Sequence, residues 1–322
     1  MAFSRAGIGV VLAAAGGAAL ASGQVVVADS VGVLELDGVF VAGNERVAGV
    51  PVTLVGWFLA MAVPLAVVAA LAAVPGGYGL TRGARMSPVP AAAVGALAGL
   101  PLVSSSGGGE VREAALSAGI SGIALGIAVG CGVALLPAVG RGLVGYAALL
   151  WTAIVGFGLF VPRTVVYAGI VEPLGLEPLR ELRGTLGRLG MPDLGPLDYH
   201  FVSVLPVALA VVVLSGVLGV RVVRRTGSVW VAVAAAVVGP VLAAASYHLD
   251  RDQLILWNED AAMMAHLLAV FAGLSALLAA AVAGRFARPS TVDAPDRAAD
   301  GDAAADGGAA GNGGAAGIRQ TG

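Results

Sequence analysis

Three histidines and a group of carboxylates are the residues best equipped for chemistry in this sequence. His200, His248 and His266 stand beside Asp198, Asp250, Asp252, Glu259 and Asp260, with Tyr199, Tyr247 and Trp257 interleaved. Neutral imidazole and carboxylate together ligate zinc or another divalent ion well. The run His248-x-Asp250-x-Asp252 presents several ligands from one turn of chain. The candidate metal set is therefore His200, His248, Asp250, Asp252, Asp260 and His266. In an enzyme built on it, His248 and His266 would be the catalytic candidates, and the ion would activate water against a lipid or a surface-linked substrate. The ordinary explanation of the same residues is amphipathic anchoring at a membrane interface, where His, Tyr and Trp place an apolar body and a polar tip. No H-E-x-x-H pattern is present. The principal reading therefore assigns no catalytic residue and no cofactor, and a divalent metal belongs to the enzyme alternative alone.

Other residues carry weaker signals. Met263-Met264 beside His266 has soft-metal chemistry, but paired methionines on an apolar helix usually pack. The glycine-rich stretches 107–109 and 307–314 lack the lysine and following helix of a phosphate loop. Ser203 and Ser246 lie near the histidines without a triad pattern. The single Cys131 forms no intrachain disulfide and reads as a small packing residue. All 18 Lys/Arg positions are arginine, so a retinal Schiff base is excluded.

The elements that must position these residues are membrane spans. The chain has 322 residues, 58% of them hydrophobic and only 12% charged, with mean hydropathy +0.92. A soluble domain carries about 25% charged residues. A net charge of −2 gives no reason to expect nucleic acid as a partner. Apolar runs predict an all-α integral membrane protein with about eight transmembrane helices, at 6–27, 51–74, 89–103, 114–139, 143–161, 201–220, 229–249 and 261–284. The fourth run is 26 residues without a charge. Gly122, Gly126 and Gly130 recur in it every fourth residue, with Ala118 and Ala134 in register. Such a stripe admits a neighbouring helix closely and predicts that span four is central to the bundle.

Met1 to Ala21 also fits a signal peptide ending Ala19-Leu20-Ala21, but the apolar run resumes at Gln24 and favours an uncleaved first span. Asp37-Gly38 within 33–41 predicts a short outer β-hairpin. Span three is the shortest, and a re-entrant segment is its alternative. Leu179, Leu182, Leu186 and Leu189 predict an outer amphipathic helix over 177–191. Pro64, Pro206 and Gly239-Pro240 fall inside spans. Residues 289–322, rich in Ala, Gly and Asp, predict a disordered cytoplasmic tail after the membrane domain 1–288.

Charge tests the span list. With both termini inside, nine arginines and no acid fall on inner flanks before the tail, whereas outer segments hold 15 of the 20 acids against seven arginines. That is the positive-inside bias expected of a cell-membrane protein with cytoplasmic termini. Spans one to four and five to eight follow the same plan, a faint parallel repeat. No Asp, Glu or Arg falls in the apolar core of a span, which argues against a proton relay. The expected function is a small-solute permease, or a subunit of a membrane assembly, with an outward-facing recognition surface. Its expected partners are the lipid bilayer and a second copy or another membrane protein.

Overall fold

The computed structural model describes residues 4–34, 45–105, 110–161, 164–173, 196–249 and 259–286. All belong to one compact unit, Met1–Ala287. The tail, the 177–191 segment and residues 35–41 of the expected hairpin lie outside the described residues. Within them the chain is almost wholly helical, with eight helices long and apolar enough to cross a membrane.

Helix α1 spans Arg5–Ser30. The Ser4 hydroxyl accepts the Gly7 N–H at 3.2 Å and caps its start. Gly32, at φ +70°, ends it by letting the Val33 and Leu34 N–H groups reach back to the Ala28 carbonyl. Helix α2 spans Glu45–Ala73. The third crossing is segmented into α3 (Arg82–Met86), α4 (Pro88–Ala96) and α5 (Leu100–Ser105), with a 3₁₀ turn at Leu97–Gly99. Together they give a helical path over Arg82–Ser104, 23 residues rather than the 15 expected. The arginines read as loop residues instead mark its first turn, capped by Thr81.

Helix α6 spans Glu110–Leu135 and α7 spans Pro137–Phe160. The break comes earlier than the expected Val139, because Pro137 has no N–H to continue the ladder and holds Leu136 extended at φ −123°, ψ 92°. Arg141 is consequently exposed in the first turns of α7 and not in a loop. A β-hairpin follows between the fifth apolar helix and the 177–191 segment, where the sequence reading placed no element: β1 (Thr164–Tyr167) pairs antiparallel with β2 (Ile170–Pro173), Tyr167 opposite Ile170. Its two-residue turn is Ala168-Gly169, with Gly169 at φ +78°. The bundle closes with α8 (Pro196–Thr226), α9 (Val229–Ser246) and α10 (Glu259–Phe286).

The centre of the bundle is α2, not the glycine-striped α6. In the apolar window of α2, 83% of residues are buried, against 28–50% for the other seven crossings. The stripe is the face by which α6 lies on α2: a Cβ on Gly122 would land on the Gly56 carbonyl oxygen, and one on Gly126 would come 2.7 Å from the Ala60 oxygen. The principal pairings repeat in the two halves. Crossing one packs on three and two on four; five packs on seven and six on eight. Small residues mark each pairing, Gly17 against Ala92, Gly142 against Ala235, and Gly219 against Ala276. Phe58 of α2 stacks on Trp151 of α7 at 5.4 Å between ring centroids, joining the halves.

The two ends of the bundle differ in charge. Among the described residues, Arg5, Arg82, Arg85, Arg141, Arg221, Arg224, Arg225 and Arg285 lie at one end with no acid. The opposite end, which holds the hairpin, has Asp29, Glu45, Glu110, Glu113, Glu172, Asp198, Glu259 and Asp260 against Arg46 and Arg112. Between them large apolar side chains face outward, including Leu209 at 59% and Phe271 at 54% exposure.

Candidate functional site

The carboxylate end brings two of the three histidines together. His248 lies in the turn that closes α9, where the Tyr247 and His248 N–H groups bond to Ala244 and Ala245 at 3.3 and 3.0 Å. These i to i−3 bonds tighten the last turn. The turn is anchored from below. The buried Ser246 hydroxyl donates to the Leu242 carbonyl at 2.9 Å, and the buried Tyr247 hydroxyl donates to the Ala168 carbonyl in the hairpin turn at 3.2 Å.

His266 is on α10, which runs antiparallel beside α9, and its Nε2 lies 3.2 Å from Nε2 of His248. The rings meet edge to face, at 5.2 Å between centroids and 74° between planes. Nδ1 of His266 lies 2.6 Å from the Ala262 carbonyl oxygen one turn back. A carbonyl only accepts, so the His266 proton is assigned to Nδ1 and its Nε2 carries a lone pair. His248 then donates its Nε2–H to that lone pair. Both rings are exposed.

The side chains of the other expected ligands lie outside the description. His200 falls in the second turn of α8, one turn inside its start at Pro196, and its side chain lies outside the description. Asp260 is in the first turn of α10, likewise without a described side chain, and Asp250 and Asp252 lie outside the described residues. Among the described residues no three His, Cys, Asp or Glu side chains group as a metal site. Ser246 is fully buried, with its hydroxyl donating to the Leu242 carbonyl. Met263 is exposed and Met264 packs against the core, while Cys131 is half-buried and free.

A second set of residues carries polarity that the apolar patterning concealed. Gln24 on α1, Trp57 on α2 and Tyr146 on α7 are buried, at 7%, 1% and 2% exposure, and the Gln24 amide, Trp57 Nε1 and Tyr146 hydroxyl have no hydrogen-bond partner among the described residues. Tyr146 lies under the hairpin: its ring fills the space where a side chain on Gly239 would go, and its hydroxyl would lie 2.7 Å from a Cβ on Gly169. The only sequence signal for these groups was a polar atom within an apolar run, as at Gln24. Two grooves between helices, one of about 540 Å³ between α7 and α8 and one of about 180 Å³ between α8 and α10, are lined by apolar side chains and Thr152, whose hydroxyl is spent on Ala148.

At the arginine end, burial pushes the Tyr78 hydroxyl above the ordinary tyrosine range, and the nearby Arg141 guanidinium draws it partly back. Comparison with family models, with curated proteins and with solved structures finds no match. What the fold defines is a class: among the described residues, eight helices are long and apolar enough to cross a membrane, an architecture compatible with a multi-pass membrane protein.

Proposed function

We propose that this chain is inserted in the cell membrane with the arginine end and both termini cytoplasmic and the hairpin end outside, and that it is a small-solute permease. The orientation follows from the segregation of charge between the two ends. The observation that carries the permease reading is that the buried polar atoms of Gln24, Trp57 and Tyr146 have no hydrogen-bond partner among the described residues. Buried polar groups are normally paired, and in a bundle otherwise built for close apolar packing these atoms are costly. A polar solute or water passing through would pair with them. The absence of carboxylates and arginines from the span interiors suits a neutral solute.

Two experiments test this. Single cysteines in a Cys131→Ala background should be labelled from outside at Ser30 and from inside at Arg224; labelling of both from one side overturns the orientation. Proteoliposomes should shrink and recover under gradients of small neutral polyols or amides, and the recovery should fall with Gln24→Leu or Trp57→Phe. Vesicles no leakier than protein-free ones would leave the other role, a subunit of a membrane assembly. The membrane-embedded metal enzyme is the second reading, favoured by the approach of His248 to His266.

A further inference from the structure

We propose that His248 and His266 form a two-imidazole binding site for a transition-metal dication, at the end of α9 and the first turns of α10. It goes beyond the permease reading and does not depend on it, or on which way the bundle is inserted.

The geometry is that of two neighbouring ligands on one ion. A tetrahedral centre with metal–nitrogen bonds of about 2.05 Å places its ligand nitrogens about 3.3 Å apart. The two Nε2 atoms stand 3.2 Å apart, so an ion can enter beside the line joining them with little movement of either backbone. His266 already has the orienting contact that metal-bound histidines use: its Nδ1–H is held by the Ala262 carbonyl, which fixes the ring and leaves Nε2 as a lone pair. His248 is carried on a turn held by Ser246 and Tyr247. His248 lies beyond the end of the apolar helix Val229–Ser246 and its ring is exposed, so an ion can approach the pair from that end of the bundle and water can complete its coordination.

The protons balance without loss. In the ion-free pair His266 holds one proton on Nδ1 and His248 one on Nε2. In the loaded pair His266 is unchanged, and the His248 proton passes through solvent to its own Nδ1, freeing Nε2. Imidazole donors select zinc, copper, nickel and cobalt over magnesium and calcium.

The test uses the full chain in lipid nanodiscs, purified without a polyhistidine tag. Copper(II) titrated to one ion per chain should give a paramagnetic resonance spectrum with two imidazole nitrogens, and zinc should displace the copper whereas magnesium should not. His248→Gln and His266→Gln should each lose one nitrogen and weaken binding by about tenfold or more. As a measurement free of variants, zinc should protect both rings of the native protein from diethyl pyrocarbonate, read by mass spectrometry. Binding that neither substitution weakens, a spectrum without imidazole nitrogen, or equal modification with and without zinc would overturn the site.

Discussion

The contact between α2 and α6 makes a graded prediction from one residue type. An added methyl at Gly122 would run into the carbonyl of Gly56, and backbone has no rotamer through which to yield. The helices must part by about 1 Å, which forfeits a quarter to a half of the dispersion attraction at each contact along the crossing. Overpacking a well-filled interior costs about 1–3 kcal/mol, and backbone on both sides places Gly122→Ala near about 3 kcal/mol. Gly130→Ala meets nothing nearer than a Val89 methyl at 3.4 Å and should change stability by less than about 0.5 kcal/mol. Gly132→Ala meets nothing within 4 Å and should gain up to about 1 kcal/mol from helix propensity. Reversible unfolding by sodium dodecyl sulfate in mixed micelles, followed by tryptophan fluorescence, measures all three. Gly122→Ala and Gly132→Ala together would span about 3–4 kcal/mol. If these two unfold at the same detergent fraction, the close approach of α6 to α2 is wrong.

Gly169→Ala should destabilise by roughly 3 kcal/mol, because a left-handed φ costs an L-residue about 1–2 kcal/mol and the new methyl meets Ala243 and the Tyr146 hydroxyl; adding Tyr146→Phe should recover only part, since Ala243 remains, and full recovery in the same unfolding assay would contradict this. Gln24→Leu should raise stability by about 1 kcal/mol by removing an unpaired buried amide, whereas a loss of stability would show that the amide has a partner in the membrane. Tyr247→Phe should cost about 1 kcal/mol through the lost bond to Ala168. Amide exchange should quicken in 164–173 while the α2 amides stay protected, and unchanged exchange there would argue against the anchor.

Much of the architecture was legible because lipid makes simple demands. Runs of apolar residues located all eight long apolar helices, and arginine placement separated the two ends. Boundaries were less legible where a charge or proline sits inside a helical turn. Arg82 and Arg85 resembled loop residues although Thr81 caps the helix that contains them. The hairpin at Thr164–Pro173 escaped notice because Ala168-Gly169 is a weaker turn signal than the Asp37-Gly38 pair. At the candidate site, sequence spacing put the histidines near one surface. Only the antiparallel register of α9 and α10 selects His248 and His266 as partners. The buried polar atoms of Trp57 and Tyr146 were hidden for a different reason: aromatic residues with a polar tip read as apolar in any hydropathy window.

Why α2 and not α6 occupies the centre follows from what glycine reports. A small-residue stripe says how near a neighbour comes, on one face, and nothing of the other faces. Centrality requires every face to be covered, and a helix covered all round is apolar all round. From Val52 to Val63 α2 carries large apolar side chains in every direction, interrupted only by Thr53, Gly56, Ala60 and Ala62, and Trp57, Phe58, Leu59 and Met61 are all buried. It packs on α1, α4 and α6 of its own half, on α7 and α9 of the other, and on β1 of the hairpin. In the second half the matching helix, α8, receives α7, α9, α10 and β2 but keeps Leu209, Val213 and Val217 exposed. The repeated pairing thus yields two equivalent arrangements with unequal interiors. The unpaired buried atoms of Gln24, Trp57 and Tyr146 lie on α1, on α2 and on the α7 that packs against α2, whereas the histidine pair lies where the end of α9 meets the first turns of α10 in the second half.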